Sequence, residues 1–188
     1  MSQEDVMNTC YELAVAAVTG DYRTMRGTHV NSMQVAIEES KSRFSIEDTF
    51  RPIGGSVTYD NYIAIMNEML RDGPCHWGRI SMAYAVATLV ETPHGSTRKE
   101  LGAKIGTFLA SKLSHWIQSS GGGWDKFDEF WSRSTEGSGG DQAHQLVAPV
   151  RTEEEDRAAM RRATRRVIAY SVLGLGAIAL MIHGRVPS

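Results

Sequence analysis

WGRISMAYAVATLVE, residues 77–91, is apolar on almost every side after Arg79. Ile80, Met82, Ala83, Tyr84, Ala85, Val86, Ala87, Leu89 and Val90 show no period-two alternation, and Ala, Met and Leu favour helix. A helix that is apolar all round is either enclosed by other helices or spans a bilayer. Crossing a bilayer takes about 20 apolar residues, more than this stretch supplies. The reading is therefore a central helix in a soluble bundle, entered through the polar segment His76-Trp77-Gly78-Arg79. A cation, a glycine and an aromatic at the mouth of a buried helix point to a site as well as to packing.

Amphipathic segments flank this core. Val6, Cys10, Leu13, Ala14 and Ala17 recur at helical spacing over residues 4–19, and Gly20 ends that helix. Val30 to Phe44 forms a second helix, with Met33, Ile37, Ser40 and Phe44 along one face. A further turn is expected around Ile46 and Phe50, before Pro52, Gly54 and Gly55 break the chain. Asp60 is the expected N-cap of a helix over Asn61 to Arg71, with Ile63, Met66, Met69 and Leu70 inward. Asp72-Gly73-Pro74 is a turn, and Thr92-Pro93-His94-Gly95 ends the central helix. From about Thr97, Leu101, Ile105, Phe108, Leu109, Leu113 and Trp116 keep helical register. Gly121-Gly122-Gly123 breaks the chain before a short aromatic helix, Trp124 to Trp131. The fold expected is all-α: seven or eight helices around the apolar one.

The domain plan is a bundle over 1–131, a flexible linker over 132–166 rich in Gly, Ser and charge, and an apolar tail over 167–183. Val167 to Ile182 carries no charge, and Leu173, Leu175, Leu180 and Ile182 lie within it. As a helix it would span roughly 24 Å, a little under the hydrocarbon core. Arg157, Arg161, Arg162, Arg165 and Arg166 precede it and Arg185 follows, so cationic side chains can reach the headgroups at both ends. A C-terminal membrane anchor with the body in the cytosol is the expectation; a buried core helix is the alternative.

Composition excludes several classes. The formal net charge is −2, which supplies no basic field for nucleic acid. Two cysteines, Cys10 and Cys75, make no disulfide framework and suit a reducing compartment. The six histidines show no HExxH pattern and the cysteines no CxxC pair, so neither a metal centre nor a cofactor is expected, and the chain does not read as an enzyme. Gly174-x-Gly176 follows no strand and is not a phosphate loop.

Two long motifs carry a family resemblance. Glu68-Met69-Leu70-Arg71-Asp72-Gly73, followed by Trp77-Gly78-Arg79-Ile80, resembles the first homology region of the Bcl-2 family, close to ELF-x-DG-x-NWGR-I/V. One extra residue lies between Gly73 and Trp77, and His76 stands in the asparagine place. Trp116-Ile117-Gln118, then Gly122-Gly123-Trp124-Asp125-x-Phe127-x-Glu129, resembles the second region, WIQ-x-x-GGWD-x-F-x-E. Ile37 to Phe44 stands where the third region, L-x-x-x-GD-x-F, belongs, with Lys41 for its glycine and Ser42 for its aspartate. The N-terminal helix resembles the fourth region only in its apolar pattern.

The resemblance implies a mechanism. An amphipathic helix from a pro-apoptotic relative lies in an apolar surface groove, anchored at i, i+3/i+4 and i+7. Arg79 would pair with an aspartate of that helix, and Gly78 would admit its backbone. His76 would donate to the same aspartate, more strongly once protonated. Phe44, Phe50, Ile63, Met66, Leu70, Met82 and Val86 are the groove-wall candidates, each with core packing as its ordinary alternative. Trp77, Trp116 and Trp124 read as structural anchors, and Gly122 and Gly123 as serving the turn before Trp124. With Lys41 and Ser42 in the third region, the resemblance favours an inhibitor of apoptosis that sequesters death helices of Bax, Bak and third-region-only proteins. A pore-forming effector of the Bax and Bak type is the alternative, and a membrane-tethered scaffold is a third. The implied location is the cytosolic face of the mitochondrial outer membrane, with the endoplasmic reticulum as alternative.

Overall fold

A computed structural model describes residues 1–23, 25, 27–50, 57–71 and 75–136, together with Glu154, Ala158, Arg161, Arg162, Thr164 and Arg165. The described residues are all-helical, in seven helices: α1 (Gln3–Thr19), α2 (Thr28–Arg43), α3 (Ile46–Phe50), α4 (Tyr59–Arg71), α5 (Trp77–Ala87), α6 (Arg98–Ser119) and α7 (Trp124–Glu136). The chain breaks expected at Pro52-x-Gly54-Gly55 and Asp72-Gly73-Pro74 lie outside the described residues, as does the whole apolar run from Val167 to Ile182. Among the described residues, no helix is long and apolar enough to cross a membrane.

α5 is the central helix that its composition implies. Trp77 and every residue from Arg79 to Ala87 are buried, and α1, α2 and α4 pack against it. Two tyrosines bury their rings here only because each hydroxyl finds a main-chain acceptor. Tyr84 donates to the Cys10 carbonyl of α1 at 3.1 Å, and Tyr62 of α4 donates to the Ala83 carbonyl of α5 at 3.2 Å.

α5 is shorter than its apolar run. The Thr88 hydroxyl turns back onto the Ala85 carbonyl at 2.8 Å, which competes with the helical ladder. Beyond it, Leu89 and Glu91 pair with Val57 instead: Val57 N–H donates to the Leu89 carbonyl at 3.1 Å, and Glu91 N–H to the Val57 carbonyl at 2.8 Å. Val90 and Val57 thus form an isolated parallel bridge, both fully buried.

Caps fix the other helix ends. Ser2 and Asp5 form a reciprocal capping box at α1, and Thr97 and Glu100 form another at α6. Their side-chain and backbone hydrogen bonds hold the Asp5 and Glu100 carboxyls below the usual carboxylate range. α4 starts earlier than expected. Thr58, not Asp60, accepts from the Asn61 N–H through its hydroxyl, at 3.2 Å. The inward face of α4 is accordingly Tyr62, Ile65, Met66 and Met69, while Ile63 and Leu70 are half-buried. α7 runs to Glu136, five residues past Trp131, so the linker expected from residue 132 begins with helix. Further along it, each described position between Glu154 and Arg165 is helical.

α1 and α6 make the closest helix contact, through two glycines on α6. A Cβ built at Gly102 would stand 2.9 Å from Val15 Cα, and one at Gly106 would stand 2.9 Å from the Tyr11 carbonyl oxygen. Neither approach is open to a larger residue unless a backbone moves.

Candidate functional site

The site expected at the mouth of α5 is built around His76. Its backbone carbonyl accepts from the N–H groups of Arg79 and Ile80, at 3.0 and 3.2 Å, so His76 is the N-cap residue by main chain alone. Its imidazole lies beside Gly78, where a Cβ would come within 3.2 Å of the ring nitrogen Nδ1. Gly78 therefore leaves room for the histidine ring. Both residues are half-buried.

Arg79 is 4% exposed. Its Nη1 donates to the Met69 carbonyl at 2.9 Å. Met69 lies in the last turn of α4, where carbonyls lack intrahelical donors and the helix dipole presents its negative end. The guanidinium thus ties the C-terminal end of α4 to the N-terminal turn of α5. This second role is not visible in the motif, because it depends on which carbonyl the fold brings to the arginine.

The aromatic anchors converge. The Trp77 ring lies 5.1 Å from Trp116, 5.7 Å from Trp124 and 5.2 Å from Phe127, centroid to centroid. Phe127 in turn stacks on Trp131 at 6.1 Å, and His29 meets Trp124 at 6.0 Å. The two motif segments are therefore one physical cluster, in edge-on and tilted geometries that suit ring quadrupoles. The glycine break makes this possible. Gly122 and Gly123 take φ of 74° and 83°, in the left-handed region that penalises a Cβ. Gly123 N–H returns to the Ile117 carbonyl at 2.8 Å, which closes α6 and places Trp124 under Trp77.

The groove-wall candidates divide. Phe44, Phe50, Met66, Met82 and Val86 are buried, at 8% exposure for Phe44 and none for the others. Ile63 and Leu70 are half-buried. Leu70 and Trp116 also line a cleft of about 450 Å³ between α4 and α6, with Glu68, Arg71, Cys75 and Lys112 on its rim. Glu68 and Arg71 pair across one helical turn there, at 2.6 Å.

The segment from Ile37 to Phe44 shows a detail its sequence hid. Ser40, not Lys41, faces α5: the Ser40 and Ser81 hydroxyls lie 3.1 Å apart, both buried, and Ser81 also donates to the Gly78 carbonyl at 3.0 Å. Lys41 turns aside and pairs with Glu38 at 2.8 Å, and Ser42 is exposed. Nearby, burial and the Glu38 charge push the Tyr22 hydroxyl up to about 12. Burial likewise pushes the Cys10 thiol up to about 12, which leaves it protonated and unreactive at neutral pH. The membrane-anchor candidates Val167, Leu173, Leu175, Leu180 and Ile182 lie outside the described residues. No family model matches the chain, and no curated protein or solved structure matches it either.

Proposed function

We propose that this chain is a tail-anchored, survival-type relative of the Bcl-2 family, which sequesters amphipathic death helices and so prevents outer-membrane permeabilisation. The observation that carries the reading is the convergence of Trp77 with Trp116, Trp124 and Phe127. Two motifs that are about forty residues apart resemble two regions of one family, and they fold into one cluster beside Arg79.

In this reading the described form is closed. The incoming helix has to part α2 and α3 from α4 and α5, because five of the seven expected wall residues are buried. α3 is the smallest unit that can yield. It is five residues long, holds on through Ile46 and Phe50, and is joined to α2 through Ser45 at φ 45°. Exposing those two side chains costs about 3–6 kcal/mol at 1.5–3 kcal/mol each. A nanomolar ligand supplies about 12 kcal/mol net, so its gross contacts have to exceed that sum by the opening cost. Part of the return comes from Arg79, which would exchange the Met69 carbonyl for a carboxylate, a stronger and potentially bidentate acceptor.

The case against the effector alternative rests on Ser42. Lys41 lies off the α5 contact, and a small residue, Ser40, occupies it. Self-insertion would still offer Arg79 no anion at the aspartate position, where Ser42 stands. The test is a liposome release assay with a Bax-like effector. The sequestering reading expects the chain to block dye release at near-stoichiometric ratios and to cause none alone. Release by the chain itself would establish the effector reading instead, and no effect in either direction would favour the scaffold.

A further inference from the structure

Independently of the groove, the basic segment before the apolar tail carries a second feature. It reads Arg161-Arg162-Ala163-Thr164-Arg165-Arg166. Arg161, Arg162 and Arg165 are exposed and helical, whereas Thr164, in the same helical stretch, is 2% exposed. Its Oγ1 is buried and has no hydrogen-bond partner. A buried hydroxyl without a partner is costly, so Thr164 is poorly satisfied where it lies. The threonine that is hidden is also the one whose sequence neighbours are arginines two and three residues before it. That spacing suits the acidic peptide groove of a basophilic protein kinase, which reads cations by charge complementarity on an extended segment.

We propose that Thr164 is a phosphorylation site for a basophilic protein kinase, and that its modification and its burial exclude each other. The chemistry is ordinary phosphoryl transfer. Thr164 Oγ attacks the γ-phosphorus of ATP and an Oγ–P bond forms. The bond from that phosphorus to the β–γ bridging oxygen breaks, ADP leaves with the electron pair, and the hydroxyl proton passes to the kinase's carboxylate base. The product carries about two negative charges at neutral pH. A dianion cannot occupy a place where even a neutral hydroxyl finds no partner. Thr164 is then held out of its buried position, with the phosphate among the guanidinium groups of its own sequence neighbours. Because Arg157 to Arg166 abuts the apolar run, the switch would also lower the positive charge next to any anionic surface the tail approaches.

The full chain is incubated with ATP and the catalytic subunit of cyclic-AMP-dependent kinase, then mapped by mass spectrometry and by amide hydrogen exchange. The expected result is one phosphate on Thr164, added at least ten times more slowly than to an isolated peptide of residues 157–170, because the folded chain has to open first. Arg161→Ala with Arg162→Ala should slow labelling of that peptide at least tenfold. Exchange at Thr164 and Arg165 should then be at least ten times faster in the phosphorylated chain. Thr164→Val, which fills the same space without a hydroxyl, should slow that exchange about fivefold. The proposal is overturned if the peptide is not labelled, or if the chain stays unlabelled at Thr164 while the peptide is labelled to completion. It is equally overturned if the phosphorylated segment exchanges no faster than the unmodified one, or if Thr164→Val exchanges as fast as the native chain.

Discussion

Gly106→Ala sets two physical effects against each other at one position. By helix propensity alone the change should stabilise α6, since alanine is favoured over glycine by about 1 kcal/mol in a helix interior. The α1–α6 crossing says otherwise. The added methyl would lie 2.9 Å from the Tyr11 carbonyl oxygen and 3.1 Å from Tyr11 Cα. Both are backbone atoms, so no rotamer change relieves the overlap, and α1 has to move away by several tenths of an ångström. α1 is also held one residue away, where the Cys10 carbonyl accepts from Tyr84. Overpacking of this kind costs about 1–3 kcal/mol, and a contact with backbone belongs in the upper half of that range. Subtracting the propensity gain leaves a net loss of about 1–2 kcal/mol. Urea unfolding followed by circular dichroism reads it as a lower midpoint at unchanged slope. Ser111→Ala, at an exposed position on the same helix, should gain about 0.3–0.5 kcal/mol and shows that propensity operates where space is free. A Gly106→Ala protein as stable as the native one, or more stable, would refute the close crossing and with it the placement of α1.

Other substitutions follow from the same geometry. Trp77→Ala empties the centre of the aromatic cluster and should cost about 3–5 kcal/mol, with loss of near-ultraviolet circular dichroism. Tyr84→Phe removes the hydroxyl's bond to the Cys10 carbonyl, which keeps its helical donor, a loss of about 0.5–1.5 kcal/mol by chemical denaturation. Arg79→Ala removes a charge-assisted bond from the end of α4. It should destabilise the free protein by about 1.5–3 kcal/mol even in the absence of ligand, measured by urea unfolding. For pH dependence, the folded Cys10 thiol titrates near 12 against an ordinary value of 9.0. The folded state therefore holds its proton where the unfolded state releases it. Stability is intact below about pH 9 and declines by about 1.4 kcal/mol per pH unit above that, through this group alone. Cys10→Ala should remove the part of the decline that precedes the tyrosines, and a slope identical to the native one between pH 9 and 10 would contradict the assignment.

Much of the architecture was legible because hydrophobic periodicity reports the buried face directly. The all-apolar α5 and the α1 face from Val6 to Ala17 are buried as read, and so are Leu101, Ile105, Leu109 and Leu113 of the α6 row, while Phe108 of that row is half-buried. What escaped were features set by partners distant in sequence. The Thr88 hydroxyl and the Val57 pairing shorten α5, and neither is apparent from the apolar run. The inward face of α4 includes Tyr62 because a carbonyl at Ala83 receives its hydroxyl, which composition could not supply. Gly102 and Gly106 look like weak points in a helix, yet they are where α1 approaches. At the candidate site, the motif marked Arg79 and the tryptophans but not the closed arrangement. Arg79 on Met69, Ser40 on Ser81 and Lys41 on Glu38 are tertiary pairings, and only the fold reveals which polar atoms meet.

In the proposed mechanism a partner helix with an aspartate displaces the Met69 carbonyl from Arg79 in an opened groove. The most direct measurement is isothermal titration of the chain, truncated before Arg157, with a panel of amphipathic death helices. Each is paired with a version whose aspartate is alanine, so that the protein stays native throughout. Nanomolar binding is expected for at least one helix, about −12 kcal/mol. Its alanine version should bind more weakly by about 2–5 kcal/mol, which is roughly thirtyfold or more. No binding across the panel, or equal affinity for the aspartate and alanine versions, would contradict it.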